Sequence, residues 1–210
     1  MNIDKKLNKI IIISSPSGAG KTTICKYLLK KMQNIELSIS YTTRPIRINE
    51  KEGKDYYFID STKFQKLNKK NMFIETAKNF NYNYASPFAN IKKAFKRNNN
   101  ILFDIDWKGA KKLRKKFNKN QIIDFFILPP NTRELKKRLE KRGRENKEEI
   151  KMRLSYALSE MSHHDEYKYV LVNDKINQTI KSLQKIIEYH LLVDEIKNKS
   201  INDLKSIKYI

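Results

Sequence analysis

The chain has 210 residues, and its 45 lysines and arginines against 23 aspartates and glutamates give a formal net charge of +22. This length suits one α/β domain with inserted subdomains, not two independent domains. No run approaches the roughly 20 apolar residues of a membrane span, and the first residues lack the apolar segment of a signal peptide. We therefore expect a soluble, cytoplasmic protein that has no membrane partner.

The positive charge invites a nucleic-acid interpretation, since a basic surface releases counterions from a phosphate backbone. Lysine is over-used in helices, loops and tail alike, as in Lys111-Lys112 and Lys115-Lys116, together with asparagine and isoleucine. This distribution favours a general compositional bias over one concentrated patch. We do not expect nucleic acid to be a partner, although the field would still draw anionic ligands toward a site.

The most informative segment is residues 10–23, where an apolar strand enters a glycine-containing turn and then a lysine followed by two threonines. Gly18 and Gly20 allow the backbone to curl so that amide N–H groups converge on one space. The N-terminus of the next helix faces the same space. The segment predicts a triphosphate site in which Lys21 reaches the β- and γ-phosphates and Thr22 ligates Mg²⁺.

This loop departs from the full Walker A motif at its first position, where Ser15 stands in place of glycine. A strand-to-helix turn that binds no ligand is the alternative interpretation. The strand before the loop and the helical pattern after it, through Ile24 and Leu28, favour the phosphate site.

Four apolar runs predict the strands of a parallel sheet: residues 10–14, 101–105, 122–128 and 169–172. Segments with helical periodicity separate these runs, an alternation typical of a sheet with helices on both faces. Asn131 with Glu134, and Asn146 with Glu149, predict helix N-caps with an acidic first turn. Residues 176–193 predict a helix on the sheet, and the tail from Lys197 a frayed end or a surface helix.

Two segments interrupt this alternation. Residues 37–88 contain short β-like pieces, at 37–41 and 55–59, and a small helix near 61–68, which predicts an insertion that faces the phosphate loop. Residues 131–165 place arginines around Gly143 and end in a polar helix, as a mobile lid would. We expect one domain over residues 1–210, with its core at 1–36, 89–130 and 166–210.

The insertion carries a candidate monophosphate clamp. Arg44 and Arg47 lie three residues apart, and Tyr56 follows nine residues after Arg47. Arginine presents a planar fork of donors that matches phosphate oxygens, and a tyrosine hydroxyl adds a further donor. By themselves, two arginines near a tyrosine are more often a solvated surface.

Carboxylates stand near the predicted edge of the sheet. Glu75 follows two apolar residues, and Asp104 and Asp106 follow a hydrophobic strand. Ligands of open α/β sheets bind at the carboxyl ends of the strands. Asp104 has the place of a Walker B acid, close to Mg²⁺ and its waters. Asp106 would reach a second ligand, and capping of the following helix is its alternative role.

Taken together, these motifs resemble those of a guanylate kinase of the bacterial type, a P-loop nucleoside monophosphate kinase. The segments that carry the resemblance span nearly the whole chain in order: residues 15–22, 40–47, 53–58, 73–75, 104–110, 127–130, 138–143, 160–163 and 172–174. The resemblance implies a P-loop parallel sheet flanked by helices, an inserted small α+β GMP-binding subdomain at 37–88 and a helical lid at 131–165. It also implies Mg²⁺-dependent conversion of ATP and GMP, or dGMP, to ADP and GDP for purine metabolism and GMP recycling.

The resemblance further implies site residues. ATP would contact Ser17, Gly18, Ala19, Gly20, Lys21, Thr22, Thr23 and, beside the adenine, Asn173. GMP would contact Ser40, Arg44, Arg47, Tyr56, Glu75, Tyr84, Ser86 and Asp106. The residues that assist transfer would be Lys21, Arg44 and two lid arginines that act as internal arginine fingers, Arg142 and Arg153. Mg²⁺ would be held by Thr22 and, through water, by Asp104.

The sequence departs from the family pattern in two places within the insertion. Ile46 and Asn49 alter the segment after Arg44, where Asn49 replaces a glycine, and asparagine tolerates left-handed backbone angles. Ala85 and Pro87 flank Ser86 where the family usually has glycine and serine.

Several other functions share some of these features. An adenylate or thymidylate kinase would keep the loop and lid, but Glu75 with Ser40 argues against its base pocket. A non-catalytic guanylate-kinase-like scaffold typically lacks the intact phosphate loop found here. The pair His163-His164 has no third metal ligand at suitable spacing, so we expect a surface or capping role. A homodimer is left open.

Overall fold

The computed structural model describes residues 8–79, 81–140 and 147–206. These residues form nine strands and seven α-helices. In chain order they are β1 (Ile10–Ser14), α1 (Lys21–Lys31), β2 (Ile35–Leu37), β3 (Tyr41–Thr42), β4 (Tyr57–Phe58), α2 (Ser61–Lys69), β5 (Phe73–Asn79), β6 (Tyr82–Pro87), α3 (Phe88–Lys96), β7 (Asn100–Asp104), α4 (Trp107–Arg114), β8 (Ile122–Leu128), α5 (Thr132–Glu140), α6 (Lys147–Met161), β9 (Tyr169–Val172) and α7 (Ile176–Ser206).

The main sheet has five parallel strands in the order β2-β7-β1-β8-β9. The central strand β1 is a run of isoleucines without exposed surface. Alternate residues of a strand point to opposite faces. Ile11 and Ile13 therefore pack with α1 and α7, while Ile10 and Ile12 pack with α3 and α4. Covering both faces explains why the strand is apolar throughout, and the predicted P-loop α/β fold is confirmed.

A second, smaller sheet occupies the predicted insertion. Its four strands have the order β4-β3-β6-β5. β6 pairs antiparallel with both β5 and β3, and β3 pairs parallel with β4. Helix α2 covers this sheet through a small core of Phe64, Phe73 and Ala85. β5 lies at the edge of the small sheet and contacts α4 of the main body.

Several element boundaries differ from the predicted ones. The β-like piece at 37–41 divides between two sheets, because Leu37 ends β2 in the main sheet and Tyr41 begins β3 in the small one. Helix α7 continues well beyond the predicted residues 176–193, so the lysine-rich tail is helical to Ser206. This outcome matches the surface-helix alternative.

The segment predicted to be a lid forms two helices, α5 and α6, that pack together through Leu135, Leu139 and Ala157. The Asn131 Oδ1 atom accepts a hydrogen bond from the Glu134 N–H at 2.8 Å, which confirms the predicted N-cap of α5. The second predicted cap, Asn146, lies outside the described residues. Within the described ranges, no helix is long and apolar enough to cross a membrane.

Candidate active site

The loop between β1 and α1 has the backbone of a phosphate cradle. Gly18 and Gly20 have φ angles of 92° and 97°, in the left-handed region that favours glycine. A Cβ atom at Gly20 would lie 2.8 Å from Nδ2 of Asn173. That amide nitrogen donates to the Ala19 carbonyl at 2.8 Å. The end of β9 therefore fixes the loop through Asn173, and the close approach requires glycine at position 20.

Lys21 and Thr22 both contact Asp104 at the end of β7. Lys21 Nζ lies 2.7 Å from Asp104 Oδ1 and donates to the Ile105 carbonyl at 3.1 Å. The Thr22 hydroxyl donates to Asp104 Oδ2 at 3.2 Å. Burial by itself lowers the pKa of Lys21, but the Asp104 carboxylate outweighs it, so the net pKa lies above its usual value. The lysine thus keeps its charge near neutral pH.

An open cavity of about 260 Å³ lies between this loop and the small sheet. It brings together most of the predicted site residues, although they come from distant parts of the chain. The predicted residues that line it are Ser17, Gly18, Gly20, Lys21, Thr22, Ser40, Arg44, Arg47, Tyr56, Glu75, Tyr84, Asp104, Asp106 and Arg153.

Four predicted residues lie outside this lining. Ala19 and Asn173 hold each other behind the loop, and Thr23 is exposed on α1. Ser86 is fully buried, and its hydroxyl lies 3.1 Å from that of Ser40. The remaining predicted residue, Arg142, lies outside the described part of the chain.

At one end of the cavity, Glu75 presents a buried carboxyl group. Its side chain is only 4% exposed, and its Oε2 atom has no hydrogen-bond partner among the described residues. The pKa of Glu75 is raised to about 7, mainly by burial and also by the nearby Asp106, and hydrogen bonds from Ser86 oppose this rise. A buried acceptor without a partner is costly, so this oxygen is suited to a ligand that brings donors.

Asp106 lines the cavity and is also the N-cap residue of helix α4. Its Oδ1 atom accepts a hydrogen bond from the Gly109 N–H at 2.8 Å, as an N-cap does. The capping role considered from the sequence is therefore present. A carboxylate can accept more than one hydrogen bond, so capping leaves capacity for a ligand.

The arginine end of the cavity is preorganised. Arg44 is only 6% exposed, and its guanidinium donates to Glu50 Oε1 at 2.8 Å and to the Pro45 carbonyl at 2.7 Å. The same guanidinium lies 5.4 Å from the Tyr56 ring centroid and 5.6 Å from that of Phe58. These contacts fix the plane of the donor fork before any ligand binds.

Glu160 of α6 is a cavity residue that the sequence reasoning did not select. Its Oε2 atom accepts a hydrogen bond from the Ser17 N–H at 3.1 Å, which joins α6 to the phosphate loop. Burial raises the pKa of Glu160 to about 7, although Ser17 and Lys21 lower it. Arg153 and Glu160 are two helical turns apart, which places both side chains on one face of α6. This spacing is the sequence signal that could have identified Glu160 as a cavity residue.

The two adjacent histidines make local side-chain contacts. His163 Nδ1 lies 2.8 Å from Glu166 Oε1, and its ring stacks on Trp107 with a centroid separation of 3.5 Å. His164 Nδ1 lies 2.9 Å from the Met161 carbonyl. Among the residues that the structure describes, no cluster of three or more His, Cys, Asp or Glu side chains could hold a metal ion.

Comparisons with known proteins decide the family. A family model described as guanylate kinase matches residues 7–190. The guanylate kinase of Rickettsia prowazekii is 45% identical over 183 residues, which cover 87% of this chain and 92% of that protein. The guanylate kinase of Rhodopseudomonas palustris is 40% identical over 186 residues, with 89% and 84% covered. The chain belongs to the guanylate kinase family.

The fold of this guanylate kinase family member agrees with a solved relative. A crystal structure of guanylate kinase from Anaplasma phagocytophilum superposes with a TM-score of 0.75 at 34% identity, covering 89% of this chain and 88% of the other. The sequence-based assignment to this family is confirmed.

The two departures from the family pattern are accommodated locally in this guanylate kinase family member. Asn49 has a φ of 69°, the left-handed conformation predicted for it. Ala85 is fully buried and pairs with Tyr41 and Thr76 inside the small sheet. Pro87 ends β6 opposite Phe73 of β5 and is the residue directly before α3.

Proposed function

We propose that this guanylate kinase family member transfers the γ-phosphoryl group of ATP to GMP, giving ADP and GDP, and that dGMP is a weaker substrate. The observation that carries the proposal is the buried Glu75 carboxyl group with its unpartnered Oε2 atom. It lines the same cavity as Lys21 of the phosphate loop. The cavity therefore offers a base-recognising acceptor and a triphosphate cradle to two ligands at once.

Guanine matches the polar groups at the Glu75 end of the cavity. Its N1–H and 2-amino groups are two donors on one edge, which the carboxylates of Glu75 and Asp106 can accept. The Ser40 hydroxyl would donate to O6. Adenine presents neither pattern and would leave these buried groups without partners, which allows discrimination of up to about 10⁴-fold.

The GMP phosphate would bind at the arginine end. Arg44 and Arg47 both line the cavity, together with the Tyr56 and Tyr84 rings, whose centroids lie 5.9 Å apart. A bidentate arginine fork bonds two phosphate oxygens in one plane. Because Glu50 and the aromatic rings already fix Arg44, little side-chain entropy is lost when the phosphate binds.

Transfer would then proceed by in-line attack. An oxygen of the GMP phosphate forms the new bond to the γ-phosphorus, while the bond from that phosphorus to the β–γ bridging oxygen breaks and ADP leaves. The attacking oxygen is already anionic near neutral pH, so no general base is required. Lys21, Arg44 and Arg153 supply positive charge, and we propose the same for Arg142. Closure of the lid would exclude water from ATP.

Magnesium is the implied cofactor, and the residues at the phosphate loop fit it. Thr22 Oγ1 and Asp104 Oδ2 lie 3.2 Å apart, which places two oxygen donors beside the cradle. Mg²⁺ favours oxygen ligands and keeps several waters, so few protein ligands are needed. We propose that Thr22 holds the ion directly and Asp104 through water. When bound, the ion neutralises charge on the β- and γ-phosphates.

Other parts of the sequence-based prediction stay proposals. We propose that residues 37–88 bind GMP and that residues 131–165 act as the lid on one 1–210 domain. We propose that Asn173, whose amide donates to the Ala19 carbonyl, also lies beside the adenine of ATP. Cytoplasmic location, a monomer or a homodimer, and the absence of a nucleic-acid partner stay predictions.

A panel of nucleotide acceptors tests the function. Purified protein with MgATP is expected to phosphorylate GMP, to use dGMP less well, and to show little activity with AMP, CMP, UMP or dTMP. The Glu75→Gln variant is expected to have a raised KM for GMP while its KM for ATP is unchanged. Comparable wild-type rates with AMP and GMP would contradict the base assignment, and no turnover with any acceptor would contradict the enzyme activity.

A further inference from the structure

One face of α4 and of the turn after it contacts the edge strand that carries Glu75. Asp106, Gly109, Lys112 and Lys116 recur every three or four residues, which places them along one side of the helix. Lys112 Nζ donates to the Thr76 carbonyl, and Lys116 Nζ donates to the Ile74 carbonyl at 2.5 Å. The backbone carbonyls on either side of Glu75 thus accept hydrogen bonds from lysines of α4 and of the turn after it.

Gly109 lies at the closest approach between this helix face and the strand. A Cβ atom at position 109 would lie 2.9 Å from Glu75 Oε2 and 3.3 Å from Glu75 Cδ. The residue is an ordinary helical position without a positive φ angle, so its backbone does not require glycine. The relevant property of glycine at position 109 is therefore that it has no side chain.

The Glu75 carboxyl group is the part that would move away from such an atom, because it is the far end of a side chain that borders the open cavity. It is 4% exposed, and Ser86 bonds it on the strand side. The lysine contacts also hold the backbone of β5 at a set distance from α4. A methyl group at position 109 would therefore displace the carboxyl group itself, and with it the Oε2 atom, which has no hydrogen-bond partner in the part of the chain that the structure describes.

We propose that Gly109 is a positioning residue for base specificity, which places the Glu75 carboxyl group by leaving it space. The inference rests on the proposed function, since it assumes that Glu75 accepts hydrogen bonds from guanine. Glycine is a poorer helix former than alanine. At a buried helical position whose backbone does not need it, glycine is explained by the space that Glu75 occupies.

The test is steady-state kinetics of the full-length Gly109→Ala variant with MgATP and GMP. The KM for GMP is expected to rise about tenfold or more, as for loss of a hydrogen bond to a charged group. The KM for ATP and kcat are expected to stay within about twofold, since the atoms nearest to a Cβ at position 109 belong to Glu75 and Ile105. Lys111→Ala, on the exposed side of α4, is the matched control and is expected to change none of these three constants.

Two further measurements separate positioning from misfolding. The thermal unfolding midpoint of Gly109→Ala is expected to stay close to that of wild type, because the helix propensity gained with alanine offsets the displacement of the Glu75 carboxyl group. In a protein that already carries Glu75→Asp, the shorter side chain leaves more space beside position 109. Gly109→Ala is therefore expected to raise the KM for GMP little further in that protein. Such non-additivity is the signature of two residues that act through one contact.

The outcomes are distinguishable. If wild-type protein phosphorylates GMP but Gly109→Ala has an unchanged KM for GMP, the positioning role is wrong and the proposed function stands. The positioning role is also wrong if Gly109→Ala raises the KM for GMP by the same factor with and without Glu75→Asp. It is wrong as well if Gly109→Ala raises the KM for ATP and the KM for GMP equally. If wild-type protein fails to phosphorylate GMP, the proposed function itself is wrong.

Discussion

Lys21 and Asp104 form an ion pair at 2.7 Å that joins the first turn of α1 to the end of β7. The two side chains are 19% and 18% exposed, so neither is fully solvated. β1 and β7 are neighbours in the main sheet, with Ile13 paired to Asp104. The sheet register therefore sets the distance between the lysine of the phosphate loop and the acid proposed to hold magnesium.

Replacing Lys21 with methionine is expected to lower kcat about 10²- to 10³-fold, the usual loss when one charge-stabilising donor is removed. Methionine keeps most of the length of the side chain and removes its charge. The measurement is the initial rate of ADP formation with saturating MgATP and GMP. Lys30→Met, on the last turn of the same helix and exposed, is the control and is expected to retain wild-type kcat. A Lys21→Met protein with wild-type kcat would contradict the assigned role.

The Glu75 carboxyl group predicts how GMP binding depends on pH. Its pKa is raised to about 7, and only the ionised form can accept two hydrogen bonds from guanine. The KM for GMP is expected to fall as the pH rises from about 6 to about 8, and this fall is expected to be shallower in Glu75→Gln. Ionisation of the GMP phosphate, near pH 6, affects both proteins equally. Identical pH profiles for the two proteins would show that Glu75 does not titrate in this range.

The same shift predicts the stability of the ligand-free protein. A folded-state pKa of about 7 lies above the ordinary value of 4.5, so between these values the folded state binds more protons than the unfolded state. The free energy of unfolding is therefore expected to fall as the pH rises from about 4.5 to 7. Urea denaturation at several pH values measures this slope. The slope should be shallower in Glu75→Gln, and an unchanged slope would contradict the raised pKa.

Two substitutions of Asp106 separate its capping role from base recognition. Asparagine caps helices about as well as aspartate, whereas loss of a cap to alanine costs about 1 kcal/mol. Asp106→Asn is expected to keep the wild-type free energy of unfolding and to raise the KM for GMP, because the acceptor charge is lost. Asp106→Ala is expected to change both quantities. If Asp106→Asn has wild-type kinetics, the residue is only a helix cap.

The features that the sequence predicts well are local. Strand β1, the glycine turn and the lysine after it lie within one continuous segment, and Asp104 directly follows an apolar strand. Backbone preferences and a continuous apolar run determine such segments without reference to the rest of the chain. The phosphate loop and the acid beside it therefore follow from the pattern alone.

The features that the sequence does not predict are long-range contacts. Glu160 reaches the Ser17 amide across 143 residues, and nothing near either residue indicates the pairing. Gly109 has no unusual backbone angle, so its reason for being glycine becomes visible only when Glu75 lies against it. Asp106 shows a third limit, since one local pattern allows both a ligand-binding acid and a helix cap, and in the structure Asp106 caps α4 and also lines the cavity.

The contact between Arg44 and Glu50 gives the last prediction. Burial by itself lowers the pKa of Arg44, but the hydrogen bond and charge of Glu50 outweigh it, so the guanidinium is charged and fixed. Lysine cannot reproduce the bidentate fork. Arg44→Lys is therefore expected to raise the dissociation constant of GMP about 10- to 100-fold, while guanosine, which lacks the phosphate, binds as it does to wild type.

Isothermal titration of GMP and guanosine measures both constants. Arg97→Lys is the matched control, because Arg97 pairs with Glu36 on the exposed surface, where its side chain is 56% exposed. Surface ion pairs contribute little, so this variant is expected to bind both ligands as wild type does. Glu50→Gln is expected to weaken GMP binding less than Arg44→Lys, since it frees the guanidinium without removing it. Equal weakening of GMP and guanosine by Arg44→Lys would place the phosphate elsewhere, because a phosphate contact acts on GMP alone.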